Sequence, residues 1–148
     1  MARKTATFTV EADGRDKGKS YLLTEMPASQ AEKWAARAFL ALARSGVLLP
    51  DDLTGAGFAG IALLGLRALS GLRFEDAEPL LDEMFGCVQF MPDKRPQLAR
   101  TLIEDDIEEV ATRMRLREEV MALHTGFSLA DARSKAAASA LPGSTDPT

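Results

Sequence analysis

His124 and Cys87 are each the only residue of their type in this chain, and together they bound the chemistry its side chains can do. A lone histidine excludes the paired-histidine zinc motifs. Its place in the last turn of an expected helix suits a cation facing the helix dipole. A lone cysteine excludes an internal disulfide and a cysteine-built zinc site, and fits a reducing compartment. The spacing around Cys87 is that of a small buried apolar residue. Carboxylates occur in pairs, Asp82 with Glu83 and Asp105 with Glu109, but neither pair has the companion oxygen ligands of a calcium loop. Gly55, Gly57 and Gly60 repeat the spacing of a dinucleotide-binding turn. That turn needs a strand before it and a βαβ unit after it, and Pro50-Asp51-Asp52-Leu53 supplies no such strand. No nucleophile with an activating base is legible, so no catalytic residue, cofactor or metal ligand is assigned.

The elements that would position any site are clearer. Ala6, Phe8, Val10 and Ala12 alternate with Thr5, Thr7, Thr9 and Glu11, the period-two pattern of a half-buried strand. Asp13 to Lys19 reads as a solvated turn, and Ser20 to Met26 as the returning strand of a hairpin. Pro27 stops pairing, and Ser29 with Glu32 forms a capping-box pattern that predicts a helix from about Ser29. Ala31, Trp34, Ala35, Ala38, Phe39 and Leu42 make its inward stripe, and Gly46 a left-handed stop. Asp51 to Gly71 predicts a second helix, apolar nearly all round. Phe74 to Phe85 predicts a third with acids at its start, Pro79 being tolerable in the first turn or as a break. Cys87 to Met91 reads as a short strand able to join the hairpin, and Asp93 to Arg100 as an exposed loop. From Ile103 a long amphipathic helix is expected, with Ile107, Val110, Met114 and Met121 in one stripe, Leu116, Val120 and Leu123 beside it, and a Glu109 to Arg113 pair. Gly126 ends it, and Phe127 packs back.

These elements predict an α+β fold: an N-terminal antiparallel hairpin, with a third short strand, on a bundle of about four helices. The chain has 148 residues, enough for one domain, expected over residues 1–127, with a weakly helical to disordered tail at 128–148. Trp34, Phe39, Phe58, Phe74, Phe85 and Phe90 are expected in the core. A net charge of −4 offers no basic field for nucleic acid. The start of the chain lacks a secretion signal, and Leu53 to Leu72 is too diluted by glycine, with Arg67 inside, to cross a membrane.

Arg15 to Lys19 and Tyr21 to Trp34, followed by Phe74 to Met84 and Leu102 to Arg113, resemble in order the tail assembly chaperones of long-tailed bacteriophages and prophages. The resemblance spans roughly Ala6 to Phe127. It implies a protein without enzymatic activity that binds the helical tape measure protein, keeps it soluble and helps tail-tube subunits assemble around it. It also implies self-association around the client, residence in the host bacterial cytoplasm, and absence from the mature virion. A structural tail-completion or head-to-tail joining protein is the competing expectation. The client face has three candidate locations, one of them the loose tail at 128–148, which could order on a partner. The apolar helix with Phe58, Ile61, Leu64 and Arg67 either offers a groove or is buried within the fold, and the acidic run with Asp105, Asp106 and Glu109 is either a docking surface or a solvated helix start.

Overall fold

The computed structural model describes residues 3–46, 69 and 71–125. The hairpin forms where the alternation places it: β1 (Thr5–Thr9) pairs antiparallel with β2 (Ser20–Thr24), Thr7 opposite Leu22. Cys87 to Met91 supplies β3 (Val88–Phe90), which adds to β2 with Tyr21 opposite Phe90. A fourth strand, β4 (Arg100–Thr101), pairs with β3. It corrects the loop expected up to Arg100. The result is an antiparallel sheet in the order β1-β2-β3-β4. One face carries Tyr21, Leu23 and Val88, all buried, with Phe8 and Phe90 packed against them. The opposite face carries Thr5, Thr7 and Thr101, all exposed.

Three helices are described. The first, α1 (Ala28–Arg44), buries Trp34, Ala35, Ala38, Ala41 and Leu42, matching the sequence stripe. Its expected cap does not form. Pro27, at φ −55° and ψ 149°, is the last extended residue and no side chain caps the end, so Ser29 already lies inside the first turn, past the position from which its hydroxyl could bond a later N–H. Gly46 adopts φ +88° and closes the helix as a left-handed stop.

Phe74–Phe85 forms α2, with Glu75 and Asp76 in its first turn. Pro79 sits well inside it, beyond the expected first turn, and the helix runs through at the loss of one backbone bond. Trp34 fixes α2 to α1, its indole N–H donating to the Leu80 carbonyl at 2.9 Å. Arg37 pairs with Glu83. Phe74 is 71% exposed, which removes it from the expected core.

The last helix, α3 (Val110–Thr125), starts seven residues later than the stripe from Ile103 predicts. Its buried positions are Thr112, Leu116, Val120 and Met121. Of the expected stripe only Ile107 and Met121 are buried, whereas Ile103, Val110 and Met114 face out. Segment 51–68 of the second expected helix, with Phe58, lies outside the described residues, as do Gly126, Phe127 and the tail.

Candidate functional site

The turn between β1 and β2 is not simply solvated. Asp16, within it, is 1% exposed. Its carboxylate accepts the backbone N–H of Glu108 at 2.9 and 3.1 Å, the N–H of Glu109 at 2.9 Å, and the Lys19 ammonium at 2.9 Å. Burial alone would raise its pKa, but these donors, with the Thr112 hydroxyl, outweigh burial and hold the carboxyl at about 2. Lys19 also reaches Glu108 at 3.0 Å, and these bonds to Asp16 and Glu108 raise the ammonium's pKa against the opposing effect of burial. Arg15 donates to Glu109 at 3.2 Å and to the Glu108 carbonyl at 2.7 Å. A second buried carboxylate, Asp106, holds Arg100 in a two-pronged pair at 2.8 and 2.9 Å and takes the Ile103 N–H at 2.8 Å. Tyr21 donates to the Asp106 carbonyl at 2.6 Å.

These bonds explain the late start of α3. Ile103 N–H on Asp106 caps only a short turn at Glu104–Asp106, and the N–H groups of Glu108 and Glu109 bond the Asp16 carboxylate rather than carbonyls four residues back, so the helical ladder of α3 starts after them. The Asp16 charge also sits where the helix dipole favours an anion. The expected Glu109 to Arg113 side-chain pair is absent: Glu109 turns to Arg15, and Arg113 stacks over the Phe85 ring at 4.2 Å.

What the clasp holds in place is one wall of a groove. The cleft, about 620 Å3 in volume, lies where β2 ends, β3 begins and β4 leaves the sheet. That size falls within the roughly 300–1,000 Å3 of ligand clefts. Leu102, Ile103, Glu104 and Ile107 come from the clasped segment, Met26 and Pro27 from the β2–α1 junction, and Phe85, Cys87 and Val88 from the α2–β3 junction. Arg3, Glu25 and Arg113 add charge. Ile103 is 60% exposed, and Val110 and Met114, which follow on α3, are 73% and 59% exposed.

Both junction walls are fastened. The Met26 N–H donates to His124 Nε2 at 2.8 Å, so the ring proton is on Nδ1, 2.9 Å from the Val120 carbonyl. Burial lowers the pKa of His124, against the raising effect of the Val120 bond. The ring is held neutral rather than as the cation its place at a helix end suggests. Phe85 is contacted by Arg113 and also by Arg117 at 4.7 Å. Burial pushes the Cys87 thiol up to about 11, which leaves little of the nucleophilic thiolate.

Of the sequence candidates, Phe58, Ile61, Leu64 and Arg67 lie outside the described residues. The acidic three are separated by the fold. Asp106 is buried on Arg100, Glu109 is paired with Arg15, and Asp105 keeps an exposed side chain while its carbonyl accepts from Lys19 at 3.3 Å. Sequence reasoning missed Asp16, Lys19, Arg100 and the groove. Asp16 and its backbone partner Glu108 lie 92 positions apart, so no local spacing signals the contact. The charged turn and the acidic run were the visible halves of one structure.

The arrangement defines an α+β protein whose polar network fixes backbone and whose open cleft has a mixed polar and apolar lining, with exposed Ile103 at its edge. No family model, curated protein or solved structure matches the chain.

Proposed function

We propose that this chain is a bacteriophage tail assembly chaperone that binds the tape measure protein, keeps it soluble, and assists assembly of tail-tube subunits around it in the host cytoplasm before leaving the particle. The observation that carries this reading is the groove bordered by Ile103, together with the exposed apolar side chains of Val110 and Met114 on α3. Apolar side chains cost solubility when left in water, and a groove of mixed polar and apolar lining with exposed Ile103 at its edge suits an amphipathic helix. Arg3 and Arg113 on one hand, and Glu25 and Glu104 on the other, give the rim both signs, matching a helix whose polar flanks alternate in charge. The order of sequence blocks resembling the chaperone group supports the same reading.

Co-expression with a tape measure protein from the same genome tests the proposal. The client should become soluble and co-purify, and Ile103→Glu should abolish both effects while leaving the thermal melt of the chain itself unchanged, because Ile103 is exposed. Client solubility indifferent to the chain overturns the chaperone reading. Recovery of the chain in stoichiometric amounts from purified virions would favour the structural tail-completion role instead.

A further inference from the structure

β1 lies at the edge of the sheet, and its backbone bonds set which groups face outward. Glu25 N–H donates to the Lys4 carbonyl at 3.0 Å and Val10 N–H to the Lys19 carbonyl at 2.9 Å. Residues of that parity bond to β2, so Thr5, Thr7 and Thr9 direct their N–H and C=O groups to the open side. Thr5 and Thr7 are exposed, and among the described residues no strand pairs there. An open edge is a template for another strand, and proteins blunt such edges with charge, proline or a bulge. Thr5–Thr9 contains no charge and no proline.

Charge sits instead at the two ends, Arg3 and Lys4 before the strand and Glu11 and Asp13 after it. We propose that two copies of this chain join through β1, antiparallel about a two-fold axis at Thr7, into one continuous sheet. In that register Thr7 meets Thr7, Thr5 meets Thr9, and Arg3 of each copy meets Glu11 of the other. Each pair brings together outward-directed backbone groups, so the ladder is complete. Sliding the register one way sets Arg3 against Thr9 and loses the ion pairs. Sliding it the other way carries pairing into the bend at residues 12–14. On the core side, Ala6 of one copy lies opposite Phe8 of the other. A cleft of about 260 Å3 beside that edge, lined by Phe8, Val10 and Ala111, provides apolar surface for them to cover.

Sedimentation equilibrium of the full chain tests the interface. A concentration-dependent dimer is expected. Thr7→Pro removes an N–H that takes no part in pairing with β2, so it should leave the circular dichroism spectrum intact and yield monomer. Arg3→Glu and Glu11→Arg should each weaken the dimer roughly tenfold, since the two-fold axis doubles every pair, and together they should restore it. The charge swap stands as a test even if Thr7→Pro disturbs the hairpin. A wild-type chain that remains monomeric overturns the proposal, as does a dimer unmoved by the charge reversals or one that the double swap fails to restore.

Discussion

Replacing Asp16 with asparagine keeps the shape of the side chain and removes the charge that holds the start of α3. The magnitude follows from the fall of the carboxyl pKa from 3.8 to about 2. At about 1.4 kcal/mol per pH unit, that fall corresponds to roughly 2 kcal/mol of stability at neutral pH. Hydrogen bonds to charged groups, at about 1.5–3 kcal/mol each, give the same order, and asparagine would also turn an amide donor toward one of the N–H groups that Asp16 accepts. For a domain of this size the expected drop in Tm is about 4–8 °C. Because the native carboxyl binds its proton less readily than the unfolded one, the native state carries fewer protons between the two pKa values. The contribution is therefore complete above about pH 4 and disappears as the pH falls towards 2. Urea titrations of both proteins from pH 7 down to pH 2 should show wild type more stable by roughly 2 kcal/mol at pH 7, with the gap closing at the acid end. A gap under about 0.5 kcal/mol at pH 7, within the range of ordinary surface substitutions, would refute the clasp. So would a gap that does not shrink with acid.

Two further outcomes follow from groups around the groove. His124 is the only histidine, so its titration by NMR is unambiguous, and its pKa should lie below 6.5 because burial favours the neutral ring. The linked stability is present above pH 6.5 and lost as the pH falls through the lower folded value, and His124→Ala should remove that part of the pH dependence; a measured pKa at or above 6.5 would contradict the Met26 bond. The Cys87 thiol, buried and raised to about 11, should react with Ellman's reagent only when the protein is unfolded in denaturant, and rapid labelling of the native protein would show that the α2–β3 junction opens readily.

The local patterns that the fold kept are those in which one short window carries the whole signal. Alternation over Thr5 to Thr9 is enough to bury Phe8 against Tyr21 and leave Thr7 outside. The stripe from Trp34 to Leu42 is enough to bury one face of α1 in the core, where Trp34 meets α2, and Cys87 to Met91 is short and apolar enough to become a sheet strand stopped by Pro92. Two expectations about helix starts failed for different reasons, one local and one distant. Ser29 and Glu32 match the capping pattern, yet Pro27 ends the extended chain too early for them to serve. Ile103 to Met114 carries helical spacing, but spacing does not show that the N–H groups of Glu108 and Glu109, which a helix from Ile103 would bond to carbonyls four residues back, are taken by Asp16.

By itself, then, the sequence determined the α+β character, the hairpin, the inward face of α1 and the burial of Cys87, because alternation, helical stripes and stop residues act over a few neighbours. Tertiary structure alone decided that Asp16 and Asp106 are internal anchors rather than solvated charge, that α3 begins at Val110, that Ile103 stands exposed at the edge of a groove, and that Val110 and Met114 on α3 stay exposed. Asp16 and Glu108 stand 92 positions apart. Only the folding of the hairpin against the start of α3 brings that carboxylate to those backbone donors, and only there does burial make the missing charge costly.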